Sequence, residues 1–402
     1  LFTIKSPECT HNLPMYTFAA STKQISHLSD VFQAVASVDP VALIVISPLG
    51  INLYSEHNHI INSGLSISPA LFRTYNFYLN DSQNLTQNSD VGNSTEELRL
   101  VIDIKAISEC LFAMKLSKRD ILANNASKLD NPNAGVKLAL GEDVALRRDV
   151  EYSRQRTALA AIDEGAPQNS TSAFNYKDDS TEKTCYFTYN GGGSPFILEF
   201  EDTFITEKIE FFTHYVADDD FGDKDNMLVN YGEIEWEMIV KSDVLANILK
   251  DMKSIGTTSV YMHVSNDIMG LGGLRRRNGP QMVNREVYFI SKGPLGNLKL
   301  IFPNEKTILE RLDMYRWDED TDTMVAANIS LTSHYNFQSF HRVFGSVSNS
   351  IKCKISKDLL GTLSVQMLSK NDQLPNYPGT LVTFNILGLL DDVDANARES
   401  LN

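Results

Sequence analysis

The sequence predicts an α+β fold in which meanders of strands are broken by single helices, and the arrangement occurs twice along the chain. Three observations carry this. Ile234–Ser265 reads as a strand, one short amphipathic helix and a second strand. The same order appears well upstream, where Tyr16–Ser21 precedes a helical pattern and Val41–Ser47 follows. Many other segments alternate with period 2 between Gly, Pro and Asn, with too few helices for a doubly wound parallel sheet.

In the later unit Val244, Leu245, Ile248, Leu249, Met252 and Ile255 fall at helical spacing and make one apolar stripe. Ser242 or Asp243 is expected to cap the start, and Gly256 to end the helix. The opposite side carries Asn247, Lys250 and Ser254, with Lys253 toward its edge. In the earlier unit the stripe is Leu28, Val31, Phe32 and Val35. A third unit pairs the strand Leu98–Asp103 with a helix carrying Ile104, Ile107, Leu111 and Met114. A fourth runs from Asn328–Ser333 into Tyr335–Phe344, with Phe337, Phe340 and Phe344 expected on one face.

Strands are expected in the first half at Ile51–Ser55, Ile60–Ile67, Leu71–Tyr78, Thr184–Tyr189, Phe196–Phe200 and Glu207–Val216. In the second half they are expected at Arg285–Ser291, Asn297–Phe302, Ile308–Tyr315, Ser350–Ser356, Thr362–Leu368 and Thr380–Leu387. Three polar stretches interrupt the pattern and read as inserts at 79–97, 117–183 and 266–284. A short helix within Gly141–Glu164 is possible in the second. The acidic run in 217–232 reads as a connector, dividing the chain into halves at 16–216 and 233–390.

Composition bounds the function loosely. The chain has 402 residues, 42% of them hydrophobic, and a net charge of −15, which are values for a globular protein without a uniformly basic coat. Four cysteines, Cys9, Cys110, Cys185 and Cys353, lack metal-site spacing and fit a reducing compartment. No apolar run is long enough to span a membrane, and no secretory signal is visible. The Asn-x-Ser/Thr triplets at Asn84, Asn93, Asn125 and Asn169 lie in segments where composition alone produces them.

Motifs for catalysis are incomplete. A calcium loop starting at Asp218 would need Gly at 223 and Glu at 229, but Asp223 and Val229 stand there. Gly270–Leu274 lacks the rest of a phosphate loop. His57 and His59 have no third metal ligand nearby. Glu199, Glu201 and Asp202 come nearest to a metal-nuclease set, yet strand alternation explains the two glutamates as solvent-facing. No catalytic residue, metal ligand or cofactor is assigned. Arg275–Arg277 reads first as a solvated basic loop, with nuclear import or DNA contact as the alternative. The helices carry the more instructive charge: Lys23 before the first, Lys105 and Lys115 on the second, Lys250 and Lys253 on the third, and His341 and Arg342 on the last.

Ser242–Gly256 resembles the segment that opens the second domain of the eukaryotic sliding clamp, proliferating cell nuclear antigen. Gly193–Glu210 and Asn376–Asn385 resemble more closely the Rad one type of subunit (Rad seventeen in budding yeast) of the nine-one-one DNA-damage checkpoint clamp. The resemblance covers most of 16–390 outside the inserts. It implies a sliding-clamp fold of two similar domains, each with two helices on the inner face of antiparallel sheets. It further implies a nuclear heterotrimeric ring with two related subunits. A clamp loader places that ring on double-stranded DNA without sequence specificity, and the ring supports checkpoint kinase signalling and repair. A 3′–5′ exonuclease has also been suggested for this branch and is the alternative reading; the residues supply no carboxylate set for it. Carried onto this chain, the resemblance turns Lys250, Lys253 and Arg342 toward DNA, with Lys23 and Lys105 beside them. It assigns ring closure to Glu207–Val216 and Asn297–Phe302, at Phe211 and Leu300.

Overall fold

A computed structural model describes residues 15–80, 97–115, 183–202, 206–215, 227–268, 283–371 and 373–389. Most of each insert, the acidic run at 216–226, Gly270–Leu274, Arg275–Arg277, Gly141–Glu164 and the four Asn triplets lie outside the described residues.

The first half contains β1 (Met15–Thr22), α1 (Ile25–Ala36), β2 (Val41–Ser47), β3 (Gly50–His57), β4 (Ile61–Ile67), β5 (Thr74–Asn80) and β6 (Leu98–Asp103). It continues with α2 (Ile104–Lys115), β7 (Thr184–Tyr189), β8 (Phe196–Glu201), β9 (Thr206–Phe211) and β10 (His214–Tyr215). The second half repeats the plan with β11 (Ile234–Lys241), α3 (Ser242–Ser254), β12 (Ser259–Ile268), β13 (Val283–Gly293), β14 (Gly296–Phe302), β15 (Leu309–Asp318), β16 (Thr323–Ala326) and β17 (Ser330–Asn336). It ends with α4 (Phe337–His341), α5 (Phe344–Ser348), β18 (Lys352–Asp358), β19 (Leu363–Ser369) and β20 (Thr380–Ile386).

Three antiparallel sheets result. One runs β5-β1-β7-β8-β9, one β14-β13-β12-β17, and the largest, of eleven strands, β10-β6-β2-β3-β4-β20-β19-β18-β11-β15-β16. The last is shared by both halves through β4 and β20, which pair from Ile61↔Ile386 to Ser66↔Leu381. Pairing of these strands is strongly specified. Ile61, Leu65, Val382, Phe384 and Ile386 are all buried, and a one-residue slip would turn each of them outward.

The helices form a row against the sheets. α2 packs on α1, α1 on α5, and α5 on α3; α1 also touches β2, β3, β4 and β20. The apolar stripes explain the row. Leu28, Val31, Phe32 and Val35 of α1, Ile104, Ile107 and Leu111 of α2, and Leu245, Ile248, Leu249 and Met252 of α3 are buried. Burial of each such side chain stabilises by roughly 1.5–3 kcal/mol. At the end of α3, Gly256 takes φ +70, so its N–H reaches Lys253 O and the Thr257 N–H reaches Met252 O. That closes the last carbonyls as the sequence predicted.

Local chemistry revises several expectations. Neither Ser242 nor Asp243 caps α3. The N-cap is Lys241, the Ser242 hydroxyl lies 3.0 Å from Cys353 Sγ, and Asp243 pairs with Lys241 at 3.0 Å. The strand expected from Leu71 starts at Thr74, because Ser68 and Pro69 set up a 3-10 turn at Pro69–Leu71, with Ser68 Oγ accepting from the Ala70 N–H. The expected strand Glu207–Val216 divides. β9 ends at Phe211, Thr213 donates to Ser194 O, and β10 joins β6 in another sheet. Tyr335–Phe344 divides as well. Tyr335 belongs to β17, and α4 ends in i→i−3 hydrogen bonds from Arg342 to Ser339 and from Val343 to Phe340. The buried face then passes to Val343 and Val347, leaving Phe344 only partly buried. His59 sits in the β3–β4 turn at φ +53.

Candidate DNA-facing surface

The helix row and the outer sheet faces treat basic residues differently. On β11, Trp236, Met238 and Val240 point into the core, so Glu235 and Glu237 point away from it. There Lys354 pairs with Glu237 at 2.9 Å, Arg311 with Glu237 at 3.3 Å, and Lys357 with Glu235. On the exposed side of the β12–β13–β14 sheet, Lys292 and Lys299 lie 4.5 Å from the ring centres of Tyr261 and Tyr288. On the helix row Lys105, Lys250 and Lys253 are exposed, and among the described residues no carboxylate lies in ion-pair range of any of them. Lys253 also occupies the last turn of α3, where the helix dipole favours a cation.

The other helix-row cations are engaged. Lys115 reaches Asp30 at 2.6 Å and ties α2 to α1. The Arg342 guanidinium turns to the C-terminal end of α1. Its Nη1 donates to Ser37 O at 3.1 Å and, at shorter range, to Val38 O. Those are carbonyls left without intrahelical donors at the end of α1, so Arg342 caps a helix in the other half of the chain. Its sequence neighbourhood could not reveal this, since the partner lies 304 residues away. Lys23 is exposed just ahead of α1. Exposed Glu109 and half-exposed Phe112 on α2 dilute the positive charge of the row.

Several of the remaining titratable groups among the described residues are either buried or paired. Burial pushes the thiols of Cys110, Cys185 and Cys353 up, away from the thiolate form. His57 binds Asp39 at 3.1 Å and His59 pairs with Glu56. Among the described residues no group of three His, Cys, Asp or Glu is placed to hold a metal ion, and no helix is long and apolar enough to cross a membrane.

Two strand edges end their sheets among the described residues. β9 and β14 are each the terminal strand of their sheet. In the repeat, β9 corresponds to β20 and β14 to β4, the two strands already paired inside the chain. Phe211 is buried and Leu300 packs partly into the core, so both face inward from these edges. Ile301 on β14 is 69% exposed, and Phe212, the residue after β9, is 90% exposed; the sequence reading did not single out either.

Comparison with known proteins agrees with this architecture. A model of the repair protein Rad1/Rec1/Rad17 family matches residues 17–369. The chain belongs to the Rad1/Rec1/Rad17 family. It is 25% identical over 362 residues to the DNA damage checkpoint control protein RAD17 of Saccharomyces cerevisiae, covering 89% of this chain and 66% of that protein. It is 31% identical over 198 residues to the protein of the same name from Eremothecium gossypii, covering 49% of this chain and 46% of that one. The chain thus spans just under two thirds and about half of the lengths of these relatives. The crystal structure of proliferating cellular nuclear antigen from Entamoeba histolytica superposes with a TM-score of 0.53 at 10% identity, over 94% of this chain and all of that one. The Rad1/Rec1/Rad17 chain therefore has the sliding-clamp fold.

Proposed function

We propose that this chain is a non-catalytic subunit of a heterotrimeric DNA-damage checkpoint clamp, a ring that encircles double-stranded DNA in the nucleus and supports checkpoint signalling and repair. The observation that carries the reading is the use of strand edges. Within the chain, β4 of one half pairs with β20 of the other. The equivalent pair, β9 and β14, ends two separate sheets. Joining β14 of one subunit to a β9-like edge of the next repeats the internal joint head to tail, and a heterologous contact of this kind closes a ring. The names of the curated relatives supply the checkpoint context.

A ring retains DNA by topology, so each phosphate contact can be weak. Lys105, Lys250 and Lys253, carried on helices and free of described carboxylates, suit that task. In this reading residues 16–216 and 233–390 are the two clamp domains, joined across 217–232, and a dedicated loader opens the ring.

The test is co-expression with two related clamp subunits, followed by mass measurement of the purified assembly. A one-to-one-to-one complex that slides off linear but not end-blocked duplex is expected. A stable monomer that ignores both partners would overturn the proposal. Metal-dependent DNA degradation abolished by a single carboxylate change would favour the exonuclease alternative.

A further inference from the structure

The outer face of the β14-β13-β12-β17 sheet carries side chains that a DNA-facing helix row does not use. Val260, Met262, Val264, Val287 and Phe289 are buried. Alternation therefore sets Tyr261 and His263 of β12, and Tyr288 and Lys292 of β13, on the opposite face. Tyr261 stacks on His334 of β17, with ring centres 4.2 Å apart at 5°, and His263 stacks on Tyr288 at 4.4 Å and 7°. Thr332 and Ser330 hold the two nitrogens of His263, at 2.8 and 3.2 Å. The Nζ atoms of Lys292 and Lys299 stand 4.5 Å from the centres of the Tyr261 and Tyr288 rings. The phenol faces are thus taken up by imidazole and ammonium, and the surface presents N–H donors rather than an open aromatic platform. The one carboxylate beside the stacks, Glu286, accepts from the Tyr288 hydroxyl at 3.3 Å. Among the described residues no carboxylate lies in ion-pair range of Lys292 or Lys299.

The chain brings an anionic segment to the border of this face. After β20, the Leu387 N–H donates to Ile60 O at 2.9 Å. Gly388 then passes the buried Tyr335, where a Cβ would lie 3.6 Å from Tyr335 Cε1. The Leu389 N–H donates to His334 O at 2.8 Å. The backbone thus climbs from the core side of β17 to its edge, and β17 is the terminal strand of the sheet. Leu390, Asp391, Asp392, Val393 and Asp394 come next in the sequence. Strands lie about 4.8 Å apart, so β13 is about 10 Å from β17. Extended chain advances about 3.3 Å per residue, which carries Asp391–Asp394 roughly 7–16 Å beyond Leu389.

We propose that Asp391, Asp392 and Asp394 dock across this outer face, with their carboxylates on the ammonium groups of Lys292 and Lys299. The chain then covers its own basic and aromatic surface. A surface ion pair is weak by itself, but a short tether holds the partners at an effective concentration on the order of millimolar. The cover is reversible. Salt screens it, and an acidic segment of another protein that binds more tightly displaces it.

The experiment treats the full chain at low salt with a zero-length carbodiimide cross-linker and maps the products by mass spectrometry. Bonds from Lys292 or Lys299 to Asp391, Asp392 or Asp394 are expected in the monomeric fraction. Lys354 and Glu237, 2.9 Å apart, serve as the internal control. A second measurement follows the rate at which lysines are acetylated. With Asp391→Asn, Asp392→Asn and Asp394→Asn combined, Lys292 and Lys299 should react several-fold faster than in wild type, while Lys250 keeps its rate. A control cross-link without any to the three aspartates overturns the proposal. Equal acetylation of Lys292 and Lys299 in the two proteins does the same. Cross-links to the aspartates found only between two chains would make a second copy the occupant and also overturn it.

Discussion

His27 Nε2 lies 2.9 Å from the hydroxyl of Thr380, which stands 353 residues further along the chain. The same hydroxyl is 2.6 Å from Tyr377 Oη, and the His27 ring meets Tyr377 edge-on at 5.7 Å. Asn371 donates to Gln24 Oε1 at 2.8 Å nearby. The start of α1 is thus bound to the β19–β20 connection, beside the strand pair that joins the halves.

This arrangement makes stability depend on pH. Burial holds the His27 proton affinity down, with Asp30 opposing weakly. A histidine whose folded value lies below its unfolded value of about 6.5 binds more protons when unfolded, so stability is complete above that pH and falls as pH drops through it. His263 and His341 are shifted the same way, both chiefly by burial, and add to the slope. Urea denaturation should show a lower midpoint at about pH 5.5 than at about pH 7.5, and His27→Gln should flatten part of that difference. An identical slope in the variant would show that His27 is not a contributor.

Arg342→Ala should act on stability before it acts on DNA. Loss of charge-assisted bonds to the Ser37 and Val38 carbonyls is expected to cost about 1.5–3 kcal/mol. Arg342→Lys should recover little, because one ammonium cannot reproduce the planar fork. Chemical denaturation of both variants checks this, and wild-type stability in Arg342→Ala would refute the capping role.

Lys250→Ala combined with Lys253→Ala should leave ring assembly intact and reduce the magnitude of the log–log salt slope of DNA binding by roughly 2, about 0.9 per phosphate contact. The loss should be the same on unrelated duplex sequences. Titrations at several salt concentrations measure it.

Ile301→Lys and Phe212→Lys should separate folding from assembly. Both side chains are exposed, so thermal melting of the isolated subunit should change by less than the equivalent of about 0.5 kcal/mol. Each should weaken association with one neighbouring subunit, detected by size-exclusion chromatography coupled to light scattering. Normal assembly of both would place ring closure elsewhere.

Gly50→Ala should destabilise the chain outright. Gly50 begins β3 at φ +141, and a Cβ there would stand 2.3 Å from Ile67 O. Backbone on both sides leaves no room to yield, so a loss above about 2 kcal/mol is expected from denaturant midpoints.

Much of the fold was legible in the sequence because it rests on local periodicity. Leu245, Ile248, Leu249 and Met252 announce α3, and Gly256 announces its end. The alternation in Thr184–Tyr189 marks β7 to the residue. The short β16 hairpin strand was missed, since four residues give too little pattern. The division at Phe212 and Thr213 was missed because it depends on a bond to Ser194 across the sheet. The candidate site was legible in part. Exposure of Lys250 and Lys253 follows from helical spacing, whereas the engagement of Arg342 is a contact between distant halves. Composition could not reveal which lysines have carboxylate partners, because pairing is decided by which strands become neighbours.

The joint between β4 and β20 also governs how the molecule can be made. β4 ends at Ile67, and its outer partner β20 begins only at Thr380. At ordinary ribosomal speeds of about 5–20 residues per second, the interval is on the order of half a minute. Throughout it, β4 offers a bare edge flanked by Ile61, Leu65 and Ile67, which invites pairing with any extended chain nearby. A nascent chain stalled before Thr380 would carry that adhesive edge indefinitely. Emergence of β20, rather than completion of the first half, is the event that seals it.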